Sequence, residues 1–285
     1  MFIFTGLPPP IPAFKATSVS PDLTTARLTR QPDIQVDGGL ICFRDMTIVT
    51  PDSLLVSNNL KKCVQLLDSR QGGVLSQVQL QDNPRTLCLT DRNTAAVTMG
   101  LNQIQMIQVK DNKLTLGRVL TVRRNICGIA FSRNCLVVSY SKPPWLEVVS
   151  MDGQVQHQFD KKGNSQHFKF PRYMCTTPDG SVFISDNDTN TITQVDTQLN
   201  LLQTFTSPLL QDRWGITAVT EDQILVSSWK NHRLLLLQPS TNTVSTLLGK
   251  DDGIEFPNSL TYCTDQKKLY ISQCITNNIK VFQIE

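Results

Sequence analysis

Phe170-Pro171-Arg172-Tyr173-Met174-Cys175 leads into the turn Thr177-Pro178-Asp179-Gly180. Ser181-Val182-Phe183-Ile184-Ser185 follows, then the polar stretch Asp186-Asn187-Asp188-Thr189-Asn190-Thr191 and the run Ile192-Thr193-Gln194-Val195. The order is apolar run, Pro-Asp-Gly turn, apolar run ending in a small hydroxyl, polar turn, alternating run. Such short runs between turn residues read as antiparallel strands. The alternation in Ile192-Thr193-Gln194-Val195 and Ile104-Gln105-Met106-Ile107-Gln108 suits half-buried strands. No stretch spaces its apolar residues three and four apart over ten residues, so helices are not predicted.

The hydroxyl-ended run recurs six times: Leu55-Val56-Ser57, Ala96-Val97-Thr98, Val137-Val138-Ser139, Phe183-Ile184-Ser185, Leu225-Val226-Ser227 and Tyr270-Ile271-Ser272. The hydroxyl residues lie 41, 41, 46, 42 and 45 positions apart. A second apolar run follows each, starting at Val64, Ile104, Leu146, Ile192, Leu234 and Ile279. A more polar run comes after, as in Leu75-Ser76-Gln77-Val78 and Val244-Ser245-Thr246-Leu247. Four short strands per repeat of about 43 residues is the arithmetic of a propeller blade. Six such repeats predict an all-β, six-bladed β-propeller.

The last repeat ends at its third strand, Ile279 to Ile284. The segment from Thr24 to Val36 is predicted to supply the missing fourth strand and close the ring, removing an open edge. Residues 24–285 are therefore expected to form the propeller. Residues 1–23, with Pro8-Pro9-Pro10 and Pro12, read as a proline-containing linker or flexible N-terminus. The expectation is either a stand-alone propeller or a truncated copy, the proline-rich start favouring truncation or descent from a longer protein.

Composition narrows the function. With 27 Lys+Arg against 24 Asp+Glu the formal charge is only +3, too small for a strong overall nucleic-acid field. No apolar run approaches the ~18 residues of a spanning helix. The eight cysteines, Cys42, Cys63, Cys88, Cys127, Cys135, Cys175, Cys263 and Cys274, include no CxxC pair. Most sit in strand-like runs and read as reduced core residues.

Blades four to six resemble the NHL repeat, the propeller unit of the TRIM-NHL proteins. Phe170-Pro171-Arg172, Pro178-Asp179-Gly180, Asn190-Thr191-Ile192, Ser227-Ser228-Trp229-Lys230-Asn231-His232-Arg233-Leu234, Phe256-Pro257-Asn258 and Asn277-Asn278-Ile279 carry the likeness. The resemblance implies a six-bladed ring and a recognition module for protein or RNA. It also implies a substrate-recruiting role in a TRIM-type ubiquitin ligase, were RING, B-box and coiled-coil modules to precede it. None of their signatures is present in this sequence.

In a propeller, the loops leading into strand one and those joining strands two and three open on one face. Arg44, Arg85, Arg124, Arg172, Arg213 and Asn258 precede their own hydroxyl residue by 13, 13, 15, 13, 14 and 14 positions. Five arginines in six comparable places predict a basic ring around the channel. Trp214, Trp229, Lys230 and His232 are expected on the same face, with Lys61, Lys62, Lys142, Trp145 and Arg233. Arginine with interleaved aromatics suits phosphate contact, base stacking or a protein hot spot.

No HExxH, G-x-S-x-G, P-loop or G-x-G-x-x-G pattern occurs. Of the three histidines, His157 reads as an outer-strand residue, His167 as a solvated loop residue and His232 as a routine loop position. The alternative is a metal-dependent propeller hydrolase or lyase, gluconolactonase-like or peptide-amidating-lyase-like. Asp45 and Asp186 are its lone candidate ligands, and the arginines would repel a cation. The expectation is a non-catalytic, monomeric, cytoplasmic module. It would bind protein or RNA, without cofactor, metal, membrane or DNA.

Overall fold

The apolar runs of the repeat become strands in the computed structural model, which describes residues 20–36, 43–100, 102–159, 167–274 and 276–285. Blade 1 comprises β2 (Phe43–Thr50), β3 (Ser53–Asn58), β4 (Cys63–Asp68) and β5 (Val74–Gln79). Blade 2 comprises β6 (Pro84–Asp91), β7 (Thr94–Met99), β8 (Gln103–Lys110) and β9 (Lys113–Thr121). Blade 3 comprises β10 (Ile126–Ser132), β11 (Cys135–Ser141), β12 (Pro144–Ser150) and β13 (Val155–Gln158). Blade 4 comprises β14 (Pro171–Thr176), β15 (Val182–Asp186), β16 (Thr191–Val195) and β17 (Leu201–Thr206). Blade 5 comprises β18 (Arg213–Thr220), β19 (Gln223–Ser228), β20 (Arg233–Gln238) and β21 (Thr243–Leu248). Blade 6 comprises β22 (Pro257–Cys263), β23 (Lys268–Gln273), β24 (Asn278–Ile284) and β1 (Leu28–Gln35). This is a six-bladed β-propeller of antiparallel four-stranded sheets.

The ring closes through the N-terminal strand, as the truncated last repeat predicts. β1 pairs antiparallel with β24 from Leu28 opposite Ile284 to Gln35 opposite Asn278. The register slips between Gln31 and Ile34, where Pro32 has no N–H for the ladder. Beside that slip, the Asp33 carboxylate accepts from Lys280 Nζ at 2.7 Å and Asn278 Nδ2 at 2.9 Å. The expected linker 1–23 lies outside the described residues up to position 19. Leu23 is buried between blades 5 and 6, and its N–H donates to Gln223 Oε1 at 2.6 Å.

The core is divided among the joints. Each of six apolar clusters fills the wedge between two adjacent blades; Tyr173, Phe183, Phe205 and Ile216, for example, fill the wedge between blades 4 and 5. Middle strands such as β3 are therefore buried on both faces, while outer strands such as β5 and β13 are largely exposed. The described cysteines are free thiols, buried or half-buried. Burial raises the Cys88 and Cys175 thiols well above the ordinary range. Cys42 lies outside the described residues. His157 is exposed on β13. His167 is not a solvated loop residue: it is half-buried against Phe159 and Phe168 and hydrogen-bonds Thr193 Oγ1 at 3.1 Å. Among the described residues no helix is long and apolar enough to cross a membrane.

The repeated hydroxyl has a physical role at the end of strand two. Ser139 Oγ accepts from Gly128 N in its own blade at 2.9 Å and donates to Pro171 O of blade 4 at 2.8 Å. Ser57 does the same with Asp45 N and Arg85 O, at 3.0 and 2.7 Å. Ser227 donates to Asn258 O at 2.9 Å. At the joint of blades 2 and 3, Thr86 Oγ1 donates to Cys127 O at 3.1 Å while Thr98 Oγ1 accepts from Thr86 N. Ser185 differs, its buried hydroxyl having no hydrogen-bond partner among the described residues. Removing a hydroxyl that satisfies two buried backbone groups costs about 1–3 kcal/mol per group left unpaired. Ser139→Ala should therefore lower the urea midpoint by a stability loss of that size. Ser185→Ala should stay within about 0.5 kcal/mol of the parent. Equal losses would contradict this account.

Candidate functional site

The first strand of every blade carries a one-residue register slip near its start. Slips fall between Phe43 and Asp45, Pro84 and Leu87, Ile126 and Ile129, Pro171 and Tyr173, Arg213 and Ile216, and Pro257 and Leu260. A bulge leaves one residue unpaired and re-aims its side chain. Counted from the first paired residue, the equivalent positions are Arg44, Arg85, Cys127, Arg172, Trp214 and Asn258. Arg44, Arg85, Cys127 and Arg172 line one cavity of about 480 Å³ with Asn59, Asp82 and Phe170. This is the channel mouth.

Three of the five arginines of the expected ring therefore reach the mouth. Arg124 lies before β10, is exposed, and lines a different pocket over blade 3. Arg213 occupies the paired position before the bulge and is 0% exposed. Its Nε donates to Thr191 O at 3.2 Å, and its Nη1 to Asn190 Oδ1 at 3.3 Å and to Leu210 O. It ties blade 5 to blade 4, and burial brings its guanidinium down to about 10. Asn258 is also buried: it donates to Phe43 O of blade 1 and accepts from Tyr173 Oη at 3.3 Å. Lys230 is held by Asp212 at 2.7 Å on the surface.

The bulge residues precede their hydroxyl by 13, 13, 12, 13, 13 and 14 positions, whereas Arg124 and Arg213 precede theirs by 15 and 14. In blades 3 and 5 the nearby arginine is therefore not the bulge residue. The bulge itself leaves no residue-type signal.

The side chains at the mouth are ordered by stacking. The Arg172 guanidinium carbon lies 4.6 Å from the Trp214 ring centroid and 5.2 Å from that of Tyr173. Arg44 approaches Trp214 from blade 1 at 5.9 Å. Such contacts favour a cation over an indole face. The rings continue outward: Trp229 stacks on Trp214 at 5.5 Å and meets Phe256 at 5.2 Å, and His232 lies 4.2 Å from Phe256. His232 Nδ1 accepts from Phe256 N at 3.2 Å, so it holds this loop in place. Arg44, Arg85 and Arg172 form no ion pair among the described residues. Arg85 Nη1 donates to Ile126 O at 2.9 Å.

Below the bulges lies the layer Asp45, Thr86, Gly128, Tyr173, Gly215 and Ser259. Tyr173 is buried and reaches across the channel from blade 4 towards Arg44 O and Asn258 Oδ1; burial raises its phenol to about 12. A Cβ on Gly128 would sit 2.2 Å from Arg172 O, and one on Gly215 2.5 Å from Asn258 O, so both glycines allow the next blade to approach. Asp45 accepts from Leu87 N at 2.9 Å, Ser259 Oγ at 2.7 Å and Met46 N at 3.0 Å, joining blades 6, 1 and 2. Asp186 is buried beneath its own loop and accepts from Lys169, Phe170, Asp188 and Thr189 N–H groups. Both carboxylates considered as metal ligands are thus engaged by the fold. Among the described residues no group of three or more His, Cys, Asp or Glu is placed to hold a metal.

No family model and no curated protein sequence matches the chain. Solved structures do. The chain is similar to a streptogramin B lyase (11% identity, TM-score 0.66, covering 93% of this chain and 100% of that one). It is similar to the PQQ-bound aldose sugar dehydrogenase of Streptomyces coelicolor (11%, TM-score 0.67, 92% and 99%). It is also similar to the Cps50 (Swd1) β-propeller domain of Myceliophteria thermophila (13%, TM-score 0.63, 85% and 83%). At such identities the likeness shows the fold. The NHL resemblance rests on the residues of blades four to six alone. The expectation of a non-catalytic chain is corrected: two of these three similar propellers are enzymes, so the frame gives no ground for excluding catalysis.

Burial lifts the Asp45 carboxyl to about 6, outweighing the hydrogen bonds that favour its ionised form. Its native pKa thus exceeds its unfolded value. The resulting stability is present below about pH 4 and is lost as pH rises through about 6. The melting temperature of the parent relative to Asp45→Asn, which does not titrate, should fall between pH 4 and pH 7. A flat or rising difference would show that Asp45 ionises normally.

Proposed function

We propose that the channel mouth is the substrate site of an enzyme acting on a small molecule that bears a carboxylate or phosphate. The observation that carries this reading is the convergence of Arg44, Arg85 and Arg172, from blades 1, 2 and 4, on one pocket of about 480 Å³ with no ion pair to a carboxylate among the described residues. That volume falls within the roughly 300–1,000 Å³ of small-molecule sites. A guanidinium fork matches carboxylate and phosphate oxygens in pairs. Trp214 stacks on Arg172, restraining the plane of its fork.

The chemistry would use the chain's own groups. Fixed guanidinium charges stabilise negative charge that develops during hydrolysis or elimination. Asp82, the carboxylate in the pocket wall, is the group available to move a proton. A divalent metal fits this wall poorly, because Asp82 and Cys127 are its acidic and thiol groups beside three cations. The lyase and the sugar dehydrogenase among the similar structures support an enzyme reading.

Partner recognition over the wider loop face is the second reading. Exposed Lys62, Lys230 and Arg233, half-buried Lys61 and the NHL-like residues of blades four to six support it. Protein or RNA would then be the partner, including a target recruited to a TRIM-type ligase. RNA binding would weaken steeply with salt.

Calorimetric titration of a panel of carboxylates and phosphates tests the substrate site. Arg172→Ala should weaken the binding ligand at least about tenfold, since a charged hydrogen bond contributes about 1.5–3 kcal/mol. Asp82→Asn should retain binding and abolish turnover followed by mass spectrometry. An unchanged affinity in Arg172→Ala would refute the site.

A further inference from the structure

Glu147, on β12, is 0% exposed. A carboxylate removed from water persists only when it is paired and its lone pairs are filled. Tyr140 Oη, Trp145 Nε1 and Gln158 Nε2 donate to it at 3.0, 3.1 and 3.2 Å, and Arg123 Nε pairs with it at 2.5 Å. Burial and the adjacent carboxylate keep the Tyr140 phenol protonated, far above its ordinary range.

Three of these donors, Arg123, Tyr140 and Trp145, also line a cavity. Arg123, Arg124, Tyr140, Lys142, Pro143 and Trp145 enclose about 300 Å³ over blade 3. The cavity shares no lining residue with the channel mouth. Its walls are mostly apolar, and Glu147 holds three of them in place, as a preorganised site requires. Arg123 is committed to Glu147. Arg124 and Lys142 make no ion pair among the described residues, so two uncompensated cations stand over an apolar socket.

We propose that this cavity is a second binding site, one that takes an acidic peptide segment carrying a large apolar side chain. A socket of this size receives one such side chain, in the manner of an interface hot spot. Acidic residues on either side would meet Arg124 and Lys142, whose charges set orientation and encounter rate. A bare anion would find only solvent-screened charges at the rim. A nucleic acid would find two free cations, where its affinity rests on many phosphate contacts.

The probe is a fluorescein-labelled peptide, Glu-Asp-Phe-Asp-Glu, followed by anisotropy. Saturable binding is expected at concentrations up to about 1 mM. Glycine in place of phenylalanine, or lysine in place of the acids, should weaken it at least about tenfold. Arg124→Glu combined with Lys142→Glu should cause a similar loss with an unchanged circular dichroism spectrum and melting temperature. Arg172→Ala should leave this binding intact, which separates the site from the mouth. The proposal is overturned by the absence of saturable binding, by equal binding of either control peptide, or by unchanged affinity in the double variant. Binding of oligouridylate that the double variant loses, with the peptide inert, would overturn it as well.

Discussion

A side-chain hydroxyl that reads two blades at once sets the geometry of this ring. Apolar wedges between blades supply the driving force, but apolar attraction has no direction. The hydroxyl at the end of strand two adds direction. Ser139 takes the N–H that the bulge of its own blade frees and gives its proton to the first strand of the next. Ser57 repeats the arrangement. One small residue thereby fixes where the bulge falls and how the following blade abuts it. Four of the bulge residues line the channel mouth, so the positions of Arg44, Arg85 and Arg172 follow from that bond.

The joint of blades 4 and 5 solves the same problem differently. Ser185 has no partner, and the Arg213 guanidinium takes over, reaching Thr191 O and Asn190 of blade 4. The exchange leaves Arg213 Nη2 buried without a partner. A long cationic side chain spans the gap but cannot satisfy all its donors there. This is also the joint from which Tyr173 crosses the throat towards blades 1 and 6. Regular closure is relaxed at the place where the channel is filled.

Much of the architecture could be read from residues. The six hydroxyl-ended runs mark the blades because each hydroxyl has a repeated bonding role. The missing fourth strand of the last repeat pointed to β1 because an antiparallel sheet needs a partner at that edge. The mouth was less legible. A bulge is a backbone event with no characteristic side chain, and an arginine one or three positions before it looks the same in the sequence. Arg213 and Arg124 therefore looked equivalent to Arg172, although one is a buried brace and the other lies over blade 3. Asp82, Tyr173 and Glu147 gave no signal at all, since their roles arise from contacts across strands and between blades.

Cations in this protein have different fates, and the contrast bears on function. Lys280 meets Asp33, Arg123 meets Glu147, and Arg213 meets backbone oxygens. Each serves the fold, and none needs a ligand. Arg44, Arg85 and Arg172 are brought together from three blades with stacking and one carbonyl bond as their support. Like charges gathered in a recess oppose folding through mutual repulsion, and a sequence under selection for stability alone would replace one of them. The anionic ligand proposed for the mouth would complete the arrangement. The bulges that hold these arginines at the mouth are set by the ring itself, so the site is built before any ligand arrives.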